Sequence, residues 1–353
     1  MAGRTLSETD IAATIAAMQK HQHEDGKPIV SAIARELGIS RSTTDYRIEQ
    51  ITSGRYAGKL HEVRFPAFVE DGDEQEPIEQ IRSRMAQNFE RKRKATEARN
   101  WFPIRIQETK PYGLLWFGDP HLDDDGCNWP MLERHIEVAR QEGIYGANIG
   151  DTTNNWVGRL MAKYADQETS LSTADRLAKW FMLESGVTWL IWLLGNHDLW
   201  NNGASFYKRL GAKQIPVIDW RAKFKICHPG GTEIRIDASH GRKGSSIYNE
   251  LHGTLREAVM GETADLYVTG HTHNFAMEQL EVARRNHLCW LMQLRGYKHF
   301  DDYALVKGFP EHHNGAAILA IVDPAQGRRS PVVTCYEDVE AGADYLKWLR
   351  ARS

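Results

Sequence analysis

The sequence predicts an α/β domain with buried strands, preceded by a small all-α module. Three observations predict it. From about Ile104 onward, apolar runs of strand length alternate with amphipathic stretches, the rhythm of strands buried on both faces. Residues 1–55 instead place apolar side chains at helical spacing, punctuated by serine caps and a glycine stop. Finally, polar side chains able to bind metals follow directly on several of the apolar runs.

The bulk numbers exclude some classes. A chain of 353 residues can bury one large core and leave room for a smaller module. With 41% hydrophobic and 26% charged residues it is ordinary for a globular protein. A net charge of −3 gives no global attraction to nucleic acid or membrane, so such contact needs a local patch. Cys127, Cys227, Cys289 and Cys335 are far apart and form no CxxC pair. That speaks against a disulfide framework or a cysteine-rich zinc site and fits a reducing compartment. The N-terminus MAGRTLSETD lacks the apolar core of a signal peptide, and no apolar run is long enough to span a bilayer. The expectation is a cytoplasmic protein that does not contact membranes.

In chain order, SETDIAATIAAMQKHQ opens on a serine cap and places Ile11, Ile15 and Met18 on one helical face. IVSAIAREL predicts a second helix, ended by Gly38, and SRSTTDYRIEQI a third, capped by Ser40. Ala34 lets two helices cross closely and Gly38 makes the turn, as in a helix-turn-helix unit. The charges of this module balance, and two positions of the third helix that are normally apolar in such units fall at Thr44 and Arg47. A protein-docking or self-associating module is therefore an alternative to a DNA reader.

RYAGKLHEVRFPAFVE reads as a small strand pair, and DGDEQEPIEQ as an acidic, exposed linker. IRSRMAQNFERKRKATEARNW reads as a basic helix, with Arg82, Arg84, Arg91, Lys92, Arg93, Lys94 and Arg99. The expected division is 1–55 helical module, 56–103 linker and basic helix, 104–353 α/β domain. Within the last, YGLLWF, YGANI, VTWLIWLL, EIRIDA and DLYVT are strands. LCWLMQL, AAILAIVD and PVVTCY lie close together and suggest a second, partly antiparallel sheet.

Five of these runs end in the same way. YGLLWF leads to Asp119 and His121, YGANI to Asp151 and Asn154, and VTWLIWLL to Asn196 and His197. EIRIDAS leads to His240, and DLYVT to His271 and His273. Carboxyl ends of strands in an α/β sheet share one edge, where ligand crevices form. The donors are carboxylates, imidazoles and a carboxamide without thiolate, which suit Mn²⁺, Fe or Zn²⁺ more than Ca²⁺. There are too many for one ion, whereas two divalent ions roughly 3.5–4 Å apart, sharing a carboxylate, would use them. Glycines before Asp119, Asp151, Asn196 and His271 permit sharp turns there.

In its order DxH, GDxxN, GNHD, His, GHTH, the set resembles the calcineurin-like metallophosphoesterase superfamily over roughly residues 112–325. The resemblance implies a four-layer αββα sandwich and two divalent metal ions, Mn²⁺ first, with Fe or Zn²⁺ as alternatives. It implies Asp119, His121 and His273 on one metal, Asn196, His240 and His271 on the other, and Asp151 bridging. His197 would then be a catalytic residue that stabilises the scissile phosphate or protonates the leaving oxygen, with Asp198 orienting it. A metal-bridging hydroxide would attack phosphorus in line.

GDTTNNW and GNHD depart from the GDxVDRG and GNHE of the serine/threonine phosphatases and look more like the nuclease and phosphodiesterase branches. A helical head on such a domain also resembles phosphoesterases encoded by phages and prophages. The leading expectation is a DNA nuclease, with DNA held by the basic helix and the N-terminal module. A phosphodiesterase or phosphatase acting on a nucleotide or other small molecule is the alternative. A DNA- or protein-binding adaptor with a vestigial catalytic domain is a third. Asn154, Arg242 and Lys243 are expected to bind substrate, and Arg295, Lys298 and His299 are further candidates. Asp123, Asp124 and Asp125 read as a solvated loop, and TSLSTADRLAKWFM as an ordinary amphipathic helix. Segments 199–220 and 241–262 are expected to wall the site.

Overall fold

The computed structural model describes residues 6–54, 76–98, 100–165, 167–212, 214–244, 246, 248–300, 315–325 and 332–353. The expected strand pair at 55–70, the acidic stretch 71–75 and Arg99 lie outside the described residues, as does the loop beyond Phe300. The chain divides into two compact units, residues 1–85 and 86–353.

The first unit holds α1 (Glu8–Lys20), α2 (Val30–Leu37) and α3 (Arg41–Thr52). The Ser7 and Ser40 side chains accept from the backbone N–H of Asp10 and Thr43, satisfying donors the helix starts leave open. Gly38, at φ 64°, ends α2 in the left-handed turn that glycine adopts without steric cost. Ile11, Ala17, Ile33 and Ala34 form the small core. Thr44 is fully buried and satisfies its hydroxyl on the Ser40 carbonyl, while Arg47 turns to Asp10 at 2.8 Å. These two inward positions of α3 thus spend polar groups locally.

α4 (Ile78–Ala98) contains the boundary between the units. It stops sooner than its composition suggests. Asn100 and Trp101, expected as helix, begin strand β1 (Asn100–Arg105), because Pro103 cannot continue a helix.

The second unit is a four-layer αββα sandwich, the architecture the resemblance implies. One six-stranded sheet contains β2 (Tyr112–Phe117), β3 (Ile144–Asn148), β4 (Trp189–Leu194) and β5 (Val217–Asp219), all parallel. The other contains β1, β6 (Arg221–Cys227), β7 (Glu233–Ser239), β8 (Leu266–Thr269), β9 (Ala276–Val282) and β10 (His287–Gln293) in mixed pairing. The last two strands, β11 (Ala317–Val322) and β12 (Val333–Tyr336), depart from expectation. They return to the first sheet, β11 antiparallel to β2. Sequence proximity to LCWLMQL suggested the second sheet, but apolar runs buried on both faces do not reveal which neighbour they pair with.

Between the sheets Leu114, Trp116, Ile191 and Ile318 meet Phe224, Ile236, Val268 and Met292, all fully buried. Each such side chain contributes about 1.5–3 kcal/mol. The outer face of the first sheet packs α5 (Trp129–Ala139), α6 (Leu171–Lys179), the short α7 (Asn196–Leu199), α8 (Gly203–Leu210) and α10 (Val339–Arg350) around Phe117, Trp192 and Leu319. The outer face of the second packs α9 (His252–Met260) on Tyr267 and Leu291. A single residue, Trp220, carries the chain from β5 in one sheet to β6 in the other. Among the described residues no helix is long and apolar enough to cross a membrane.

Candidate metal centre

The carboxyl ends of β2, β3, β4, β7 and β8 lie together. Parallel register sets Phe117 beside Asn148, and Ser239 beside Thr269. The residues just beyond therefore emerge at one edge. Hydrogen bonds stitch the two sheets there: Trp220 N–H donates to the Leu194 carbonyl, and His240 N–H to the Trp220 carbonyl.

Asp151 is the centre of the cluster. Its Oδ1 accepts the His197 backbone N–H at 2.9 Å, and its Oδ2 lies 3.1 Å from His240 Nε2 and 4.0 Å from His197 Nε2. Ligand atoms of Asp151, His121 and His197 all fall within 4.8 Å of one another, as do those of Asp151, His240 and His271. Asp119 stands between them. Its Oδ2 accepts the His271 N–H at 2.7 Å and lies 4.0 Å from His273 Nε2, and its Oδ1 is 3.4 Å from His240 Nδ1. Asn196 Oδ1 is 3.2 Å from His240 Nε2.

The hydrogen-bond pattern tests whether these residues fit a metal, and they do. His121 Nδ1 donates to Asn154 Oδ1 at 2.9 Å, an oxygen that can only accept. The lone pair is thereby placed on Nε2, which is buried and has no hydrogen-bond partner. Asp119 Oδ1 is likewise buried without a hydrogen bond. His240 Nδ1 donates to the Ile149 carbonyl at 3.0 Å, so Nε2 faces two oxygen acceptors, on Asp151 and Asn196. Only a proton or a cation between them makes that favourable.

The ionisation states agree. Burial, together with the neighbouring Asp151 charge and despite His240, pushes Asp119 up to about 7. Burial works to raise Asp151 too, but the His240 charge and hydrogen bond outweigh it and hold that carboxyl low. Burial would depress His240, yet Asp151 and Asp119 raise it to about 9. For His121 burial dominates, with His197 and His273 adding repulsion, and its ring is held well below the usual imidazole range. A proton on His240 thus sits where a metal ion would.

Glycine is required where backbone passes the carboxylate. A Cβ on Gly195 would lie 2.1 Å from Asp151 Oδ1 and 2.6 Å from His240 Cε1. One on Gly150, at φ 114°, would lie 2.4 Å from the Gly195 nitrogen.

Several expected residues have other partners. Asn154, expected at substrate, is buried behind the cluster. It fixes His121 through Oδ1, donates to Asp124 and Gln167 through Nδ2, and donates its backbone N–H to Asp123. Asp198, expected to orient His197, has its carboxylate oxygens on backbone N–H groups. It is fully buried and accepts the backbone N–H of Gly195 and Thr152 at 3.0 Å each, which locks the GNHD turn. The Asn154 carbonyl accepts from His197 Nδ1 and orients that ring. Arg242, also expected at substrate, is buried on Asp237, donating to its carbonyl at 2.6 Å and its carboxylate at 3.2 Å. Lys243 is exposed.

Asp123 and Asp124 are not solvated. Asp123 is buried under the Asn154 N–H, and Asp124 pairs with Lys298 Nζ at 3.0 Å. Lys298 is therefore committed to Asp124 behind the site. Two further residues hold the surroundings of the site: Gln167, which the sequence did not indicate, and Asn155, expected only as a stand-in for its neighbour Asn154. Gln167 accepts from Asn154 and from Trp156 Nε1, and Asn155 ties the His197 and Trp200 carbonyls. Gln167 carries no sequence signal, since it acts through contacts between separate loops.

No model of a protein family matches the chain. No curated protein matches it. Solved structures that match include Vps29 of Entamoeba histolytica, as a single mutant, at 10% identity and TM-score 0.36, covering 64% of this chain and 97% of that one. The wild-type Vps29 complexed with Zn²⁺ matches at 11% identity and TM-score 0.32, over the same shares of the two chains. GAP50, the anchor in the inner membrane complex of Plasmodium, matches at 11% identity and TM-score 0.30, covering 68% and 95%. At such scores the likeness carries no argument.

Proposed function

We propose that the chain is a metal-dependent phosphoesterase of the calcineurin-like metallophosphoesterase superfamily, hydrolysing phosphodiester bonds of DNA. One observation carries this reading: a single buried carboxylate, Asp151, belongs to both candidate ligand groups. Two divalent cations sharing one ligand need that arrangement. Asp119, His121 and His273 would hold one, Asn196, His240 and His271 the other, and Asp151 both. The donor set of nitrogen and oxygen atoms suits Mn²⁺, with Fe or Zn²⁺ as alternatives. When bound, such cations neutralise the diester's charge and acidify a water for attack on phosphorus.

The chain's own residues do the rest. His197 is the catalytic acid. Its Nδ1 is held by the Asn154 carbonyl, so Nε2 faces the space shared with His121 and Asp151. There it hydrogen-bonds the scissile phosphate and gives its proton to the leaving oxygen, a contribution of about 10²–10⁴-fold. Asn154 keeps His121 Nε2 bare, and Asp198 keeps the His197 turn in place.

Support for DNA comes from exposed α4, which carries the basic residues Arg82, Arg91, Lys92 and Lys94 that phosphates attract. The three N-terminal helices would dock DNA in a helix-turn-helix manner, or a protein partner or second copy instead. A different observation favours a small diester as the second reading. Arg84 pairs with Glu76, and Arg93 with Glu90 and Glu97, which offsets part of the positive charge of that helix.

A Mn²⁺-dependent assay on single-stranded DNA, double-stranded DNA and bis-p-nitrophenyl phosphate separates the readings. We expect DNA cleavage that falls at least a hundredfold in His197→Ala, in line with the roughly 10²–10⁴-fold worth of a general acid, with metal content retained. Turnover of the small diester alone selects the second reading. Full activity of the variant would remove His197 from the chemistry.

A further inference from the structure

Trp220 is an odd residue for its place. It is the whole connection between β5 and β6, and its φ of 59° is left-handed. A bulky side chain in that region is a genuine outlier, costing about 1–3 kcal/mol, where glycine would pass freely. Its backbone role, bridging the Leu194 carbonyl and the His240 N–H, needs no side chain at all. Core packing does not account for the ring either, since Trp220 is 36% exposed.

The ring stands at the rim of the metal centre. Its centroid is 5.1 Å from His240 and 5.9 Å from His271, both edge-on. Its Cζ2 covers Gly241, where a Cβ would lie 3.2 Å away. Trp156 and Trp200 flank His197, at 5.2 and 4.3 Å. Trp156 is spent, however, since it is 7% exposed and its Nε1 is fixed on Gln167. Trp220 is the most exposed of the three aromatic walls.

We propose that Trp220 is a specificity-determining residue that stacks a nucleobase of the substrate while the phosphate next to it lies at the metal centre. The substrate class is then a nucleoside phosphoester. The inference rests on the phosphoesterase reading and adds to it the residue that chooses the flanking group. Any base offers a π face, so the stack discriminates nucleoside from alkyl esters without choosing among sequences.

Two diesters with one leaving group test this: thymidine 5′-(p-nitrophenyl phosphate) and methyl p-nitrophenyl phosphate. In Trp220→Ala the thymidine-to-methyl ratio of kcat/KM should fall about tenfold to a hundredfold, the worth of one stacked base, mainly through KM. Trp220→Phe should keep most of the ratio. Calorimetry of thymidine 5′-monophosphate against methyl phosphate, on Mn²⁺-loaded protein, should show the same loss of preference without turnover. If Trp220→Ala weakens both ligands equally, or neither, the stacking role is wrong. Should wild type turn over no diester at all, the phosphoesterase reading fails, and the calorimetric preference still decides the role of Trp220.

Discussion

His121, Asp151, His271 and His273 all take left-handed backbone, at φ 43°, 53°, 74° and 54°. Each costs about 1–3 kcal/mol and persists only where surrounding structure imposes it. The turns direct side chains back over the strand ends, so four of the candidate ligands carry backbone strain. A sequence pattern names such residues but does not show their conformation. Nor does it show Asn154 behind His121, because that pairing spans two loops. Asn154→Ala frees the His121 ring to rotate and to change tautomer. Metal affinity should fall about 10–100-fold with the fold intact, measured by competition with a chelator; unchanged affinity would discard Asn154 as the orienting group.

At the scale of elements, β7 and α9 are fastened by charge. Arg221 makes two bonds to Asp237 of β7 and one to Glu257 of α9, and Arg242 closes on Asp237 from the loop after His240. Burial would raise Asp237, but the two arginines outweigh it and hold the carboxyl low. Removing that carboxylate leaves the buried Arg242 guanidinium uncompensated. Asp237→Ala should cost about 3–5 kcal/mol, read from the urea midpoint, whereas Lys243→Ala on the exposed loop should stay within about 0.5 kcal/mol. A mild effect at Asp237 would mean that Arg242 finds another partner. The strand that carries Arg221, β6, shows why some strands escaped notice in the sequence. In β6, Arg221, Lys223 and Lys225 alternate with buried Ala222, Phe224 and Ile226, so mean polarity hides the strand while its period of two declares it. β9 carries three glutamate or glutamine residues and is a sheet edge.

The second unit as a whole is a device that brings strand ends from two sheets to one place. Leu114 and Trp116 of one sheet and Phe224 and Ile236 of the other set the spacing between them, and the donors inherit it. In such a cluster protons and a metal ion would compete for the same atoms. Asp119 is raised to about 7 and His240 to about 9, so both must lose protons before they serve as ligands. Apparent Mn²⁺ affinity should therefore rise with pH through that range, with protons released on binding. Calorimetry in buffers of different ionisation heat measures both; a flat affinity would mean that these two groups are not ligands.

The sequence by itself determined that a helical head precedes an α/β sandwich, and it named seven candidate donors, because each follows an apolar run that reads as a buried strand. GNHD, GDTTN and GHTH are local signals, legible from chain neighbours alone. Only the tertiary structure placed Asp151 in both candidate ligand groups, Asn154 behind His121, the Asp198 carboxylate on the backbone of its own turn, and Arg242 on Asp237. It also decided that AAILAIVD and PVVTCY join the first sheet and that Trp220 stands beside His240 and His271. Those outcomes depend on contacts between segments far apart in sequence. Such contacts are set by how two sheets pack, which no local spacing of residues encodes.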